Sequence, residues 1–82
     1  MPRLVSENAY IAAVKISEDG GMLVYRVVEY KGKDGSFRLD IPENSGFAGA
    51  YLLGMDESVL AELSGDTPIG KFKIFTVGIR LA

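Results

Sequence analysis

Acidic groups, lysines, arginines and hydroxyls are the reactive side chains available here, because the 82-residue chain has neither histidine nor cysteine. That removes the usual zinc, copper and haem ligand sets. It also removes Ser-His-Asp and Cys-His nucleophilic systems, and disulfides. Asp56, Glu57, Glu62 and Asp66 lie close together in sequence. General acid-base catalysis needs a carboxyl whose pKa is shifted by burial, and the sequence around these four suggests no such burial. A solvated face accounts for them, and no acidic spacing matches a calcium loop. Gly46-Phe47-Ala48-Gly49 is a bare G-x-x-G. A phosphate loop needs a following lysine or an uncluttered helix N-terminus, whereas Asp56 and Glu57 come next. No catalytic, cofactor or metal residue is assigned, and the chain reads as non-enzymatic.

A second pattern interleaves bases with aromatics. Arg26, Lys31, Lys33 and Arg38 fall near Tyr25, Tyr30 and Phe37, and Lys71 and Lys73 flank Phe72. On strands this is the pattern of a sheet that binds single-stranded nucleic acid, with Lys31, Lys33, Arg38, Lys71 and Lys73 as contacts. The net charge of -2 argues against it, since such domains carry a basic excess. Core aromatics with charges in water is the plainer reading.

These residues must be positioned by one small domain spanning residues 1–82. A chain of this size buries only about 60% of its unfolded surface, which makes self-association a natural source of further burial. Residues 1–8, beginning Met1-Pro2-Arg3, read as a loose lead-in without a signal-peptide core. No apolar stretch is long enough to span a membrane. A cytoplasmic location is the expectation.

Tyr10 to Ile41 reads as a three-stranded antiparallel meander, with turns at Asp19-Gly20-Gly21 and Gly32-Lys33-Asp34-Gly35. A symmetric second hairpin places Tyr30 opposite Phe37, Val28 opposite Leu39 and Glu29 opposite Arg38. A three-residue first loop aligns Ile16 with Val24 and Tyr10 with Tyr30. Phe47 to Gly54 reads as a short extended segment. Asp56 as N-cap, a Met55–Leu60 staple and Gly65 at the end predict a helix over about 57–64. Gly70 to Leu81 changes phase near Ile74-Phe75, which predicts a bulged last strand or two short ones. The fold expected is therefore α+β: the meander, one short helix and a final bulged strand completing the sheet. A small SH3-like or OB-like barrel is the alternative.

In this register Tyr10, Val14, Ile16, Val28, Phe37 and Leu39 face the core. Ile11, Ala13, Leu23, Tyr25 and Val27 then form a second apolar face. Either another segment covers that face, or it docks a second copy or another protein. The expected function is a non-enzymatic protein-interaction domain, self-associating through a sheet face or edge, with Ile11, Leu23, Tyr25 and Val27 at the interface. A small nucleic-acid-binding barrel is the alternative.

Overall fold

A computed structural model describes residues 2–81, and every regular element among them is a strand. Met1, part of the expected lead-in, lies outside the described residues. The strands are β1 (Arg3–Ser6), β2 (Ala9–Ile16), β3 (Met22–Glu29), β4 (Gly35–Asp40), β5 (Phe47–Leu53), β6 (Val59–Leu63), β7 (Thr67–Ile69) and β8 (Ile74–Leu81). They form two antiparallel sheets, ordered β1-β4-β7 and β2-β3-β8-β5-β6. Phe37 and Ile69 of the small sheet pack against Leu23, Tyr25, Val27, Ala50, Val77 and Ile79 of the large one. This is a small β-sandwich, and it overturns both the α+β expectation and the single closed barrel.

The strands follow from composition. β3 and β8 are rich in Val, Ile, Leu and aromatics, which suit a pleated surface, and they lie side by side within the large sheet. Val27, Val77 and Ile79 are fully buried, and each such side chain contributes about 1.5–3 kcal/mol. Across the layers the rings of Phe37 and Phe75 meet edge to face at 6.0 Å.

Three local expectations are corrected. First, β3 and β4 do not pair: β4 crosses to the other sheet, and β3 pairs β2 and β8 instead. The proposed opposition of Tyr30 to Phe37 and of Glu29 to Arg38 is therefore absent. Secondly, the β2–β3 hairpin exists, but Ile16 faces Leu23 rather than Val24. A bulge at Ala12 then changes the phase, so Ile11 faces Val27 and Tyr10 faces Val28. Thirdly, the expected helix is a turn followed by β6. Asp56 Oδ1 accepts the Ser58 N–H at 3.0 Å and the Ser58 hydroxyl at 2.6 Å. That bond resembles an N-cap but closes an Asx turn. Pairing with β5 gives Val59–Leu63 a continuous ladder, whereas an isolated helix of two turns is unstable.

The strand expected over Gly70 to Leu81 begins later: Gly70–Lys73 is a loop, and Ile74–Leu81 is the single strand β8, paired with β3 without the bulge or break expected near Ile74-Phe75. The stretch read as extended after Gly46 is β5.

Phe37 and Leu39 belong to the core as expected, but the faces of β2 and β3 are reassigned. Leu23, Tyr25 and Val27 point between the sheets and are covered by β1, β4 and β7, with Tyr25 only 1 % exposed. Tyr10, Val14 and Ile16, assigned to the core, are exposed. β3 is apolar on both sides for a second reason: Met22 and Val24 pack outward against Leu53 and Tyr51.

Candidate functional site

One end of the sandwich is built around Glu29, the last residue of β3. Its side chain shares the inward phase of Leu23, Tyr25 and Val27, and it is 1 % exposed. A carboxylate so placed must find donors, and it finds four. Oε1 accepts the backbone N–H groups of Gly32 and Phe72, each at 2.8 Å. Oε2 accepts the Lys31 N–H at 2.9 Å and the Asn8 side-chain amide at 3.0 Å. Burial pushes this carboxyl upward, but the N–H groups of Phe72, Gly32 and Lys31 and the Asn8 amide outweigh it and lower the pKa to about 2.

Those four donors come from three places in the chain. Asn8 lies in the β1–β2 connection, Lys31 and Gly32 in the β3–β4 turn, and Phe72 in the β7–β8 loop. Asn8 also donates to the Lys33 carbonyl at 3.0 Å. The Lys71 N–H donates to Asp34 Oδ1 at 3.1 Å, a second tie between the two loops. Phe72 sits at φ 56°, a strained conformation for a bulky residue. Its ring lies over Gly32, where a Cβ would fall 2.6 Å from Cζ. Even so, Phe72 is 69 % exposed.

Exposed apolar groups continue from this loop. Ile74 stands opposite Val28 on the outer face of the large sheet, and Tyr10 is the other neighbour of Val28. The Tyr10 and Tyr30 rings meet edge to face at 5.4 Å. Tyr10, Tyr30, Phe72 and Ile74 are all exposed.

The structure brings four of the five basic residues expected as nucleic-acid contacts onto these two tied loops: Lys31 and Lys33 on one, Lys71 and Lys73 on the other. The Lys31 ammonium lies 5.8 Å from the centre of the Tyr30 ring. Arg38 is not with them. It is on β4, where its guanidinium pairs with Asp40 at 2.9 Å and lies 3.8 Å from Asp66. Of the interface residues expected, Leu23, Tyr25 and Val27 are core, and Ile11 packs partly buried against that core. Their apolar character is used inside the domain.

The remaining acidic residues do not form a site. Glu57 pairs with Lys15 at 2.8 Å, which holds its carboxyl below the usual range, with burial opposing. Asp56 is lowered by its bonds to Ser58. Among the described residues no cluster of three or more His, Cys, Asp or Glu could hold a metal ion. No helix among them is long and apolar enough to cross a membrane.

Chemically, Glu29 is poorly suited to proton transfer. It is ionised at neutral pH, both oxygens are engaged, and it lies out of contact with solvent, whereas a general acid needs a raised pKa and access to its substrate. It acts as a pin that holds two loops and their aromatic and basic side chains in place. The sequence carries no signal for Asn8, shows Phe72 only as an aromatic between two lysines, and offers Glu29 as a partner of Arg38. A signal existed for Glu29, an acidic residue in phase with three large apolar ones.

The family model described as the glycosyl hydrolases family 38 C-terminal beta sandwich domain matches residues 8–77, and the chain belongs to that family. No curated protein and no solved structure matches the chain.

Proposed function

We propose that this chain, a member of the family 38 C-terminal β-sandwich domains, is a non-enzymatic interaction domain that docks onto the remainder of a glycosyl hydrolase. The contact surface is the exposed group Tyr10, Tyr30, Phe72 and Ile74, with the lysines of the two tied loops at its rim. The observation that carries this reading is Phe72: a strained backbone, fixed by a buried carboxylate, holds a large apolar ring out in water. Aromatic anchors ringed by polar groups are the usual anatomy of a docking surface. The choice of partner leans on the family's description, which names a C-terminal beta sandwich domain of glycosyl hydrolases. A cytoplasmic location belongs to the same proposal.

The test mixes the purified chain with a family 38 glycosyl hydrolase lacking its own C-terminal sandwich, followed by sedimentation velocity. A complex that is lost in the Tyr30→Ser/Phe72→Ser variant supports the reading. A chain that ignores the enzyme but dimerises through these residues makes a second copy the partner. A chain that stays monomeric in both experiments overturns the docking function.

A second reading rests on the gathering of Lys31, Lys33, Lys71 and Lys73 beside exposed rings, the arrangement that binds single-stranded nucleic acid. Salt-dependent binding of a labelled oligonucleotide, weakened by Lys31→Ala and Lys33→Ala, supports it. No binding at low salt removes it.

A further inference from the structure

The turn between β5 and β6, residues 54–58, runs across the outer face of the large sheet as a strap. Two backbone bonds close it: Gly54 N–H to the Ser58 carbonyl at 2.9 Å and Glu57 N–H to the Gly54 carbonyl at 3.0 Å. Its far end is fastened to β2 and the turn after it, where Glu57 meets the Lys15 ammonium at 2.8 Å and accepts the Glu18 N–H at 3.4 Å. Glu57 adopts φ 66° to make this reach. Beneath the strap is a cleft of about 310 Å³, near the small end of the ligand-site range.

The floor of the cleft follows from strand register. Arg26 of β3 stands directly between Ala13 of β2 and Thr76 of β8, and all three line the cleft with Val24. Arg26 is exposed, and among the described residues no carboxylate pairs with it. Its guanidinium therefore has a fork of donors available beside a threonine hydroxyl. Exposed Ala13 supplies apolar surface below, next to the edge of the buried Val24, and Met55, fully exposed on the strap, supplies it above. Among the residues that line the cleft, Lys15 and Arg26 against Glu57 leave one positive charge in excess. A single anionic group is the charge this cleft balances.

We propose that the cleft binds a small carboxylate bearing a short apolar tail. The carboxylate sits on the fork of Arg26 with the Thr76 hydroxyl alongside, a planar match that favours a two-point contact. The tail lies on Ala13 and the edge of Val24 under Met55. So few ligand atoms support a dissociation constant on the order of millimolar. This site adjoins the Phe72 surface on the outer face of the large sheet, one outward row along β3 and β8, and does not depend on the docking function.

The test is a titration of the full chain by two-dimensional NMR, with hexanoate as probe and acetate and hexanol as controls. Saturable shifts centred on Ala13, Val24, Arg26 and Thr76 are expected with hexanoate, with both controls clearly weaker. Arg26→Gln, a surface change, should weaken hexanoate about tenfold or more while leaving the remaining signals dispersed. Thr76→Val provides a second, milder loss from the same cleft. Equal response to hexanol, shifts centred elsewhere, no saturable shift, or unchanged binding by Arg26→Gln would each overturn the proposal.

Discussion

The Asn8 side-chain amide donates to Glu29 Oε2 at 3.0 Å, and both residues are 1 % exposed. This contact joins the turn leaving β1 to the end of β3, and so joins the two sheets at one end of the sandwich. Asn8 fits there because Gly35 has no side chain: a Cβ on Gly35 would overlap the Asn8 amide.

Asn8→Ala should therefore destabilise the domain by about 1–3 kcal/mol, since it leaves the Lys33 carbonyl and one Glu29 oxygen short of a donor. In a domain of this size that lowers Tm by roughly 5–20 °C. Thermal melting followed by circular dichroism reads the change. A loss of a few tenths of a kcal/mol would mean that water replaces the amide without cost.

The pH dependence follows from Glu29. Its folded pKa is about 2, against an ordinary value of 4.5. A depressed carboxyl contributes stability that is fully present above the unfolded value and is lost as pH falls from about 4.5 towards 2. Denaturant titrations across that window should show stability falling with acid. Glu29→Gln should be less stable at neutral pH and should flatten this part of the profile.

Two tyrosine substitutions separate the inner and outer faces. Tyr25 is buried and its hydroxyl donates to the Pro2 carbonyl at 3.3 Å. Tyr25→Glu places a charge in the core and should cost several kcal/mol, enough to unfold a marginal domain. Tyr10→Glu, on the exposed face, should change stability by less than about 1 kcal/mol. Parallel urea titrations decide it, and similar losses for both would mean that the faces are not distinguished.

Gly78 lies where Leu53 and Met22 close over β8. A Cβ there would stand 2.8 Å from both Leu53 Cδ1 and Met22 Sδ. Gly78→Ala should cost about 1–3 kcal/mol by overpacking. Adding Leu53→Val should recover part of that loss, which a pair of urea melts would measure.

Much of the β content was legible in the sequence, but its arrangement was not. The β2–β3 hairpin was recognisable from Asp19-Gly20-Gly21, and the blurred alternation around Ile11 and Ala13 was the mark of the bulge between them. Gly32, at φ 74°, does form a turn. Turn chemistry fixes how the chain reverses, however, and not which sheet it enters next, so a β3–β4 turn with a hairpin's residues is a crossover. Asp56 bonds Ser58 as a capping residue would, and only the ladder to β5 decides that a strand follows. The four lysines are visible, but their meeting depends on Glu29 reaching the Phe72 N–H 43 residues along the chain. The phase of Glu29 with Val27 and Tyr25 was its signature as an interior residue, and it was outweighed by an assumed partner in Arg38.

The position of β8 bears on how the domain comes into being during synthesis. Among the described residues it follows every other strand, yet it lies third of five in the large sheet, between β3 and β5. Until it leaves the ribosome, β3 and β5 each have an unpaired edge, and Leu23, Tyr25 and Val27 lack part of their cover. Such a nascent chain carries open edges that invite wrong partners. The sandwich must then close around its last-made strand, so a ribosome stalled before Ile74 would hold a sticky precursor rather than a smaller version of the same domain.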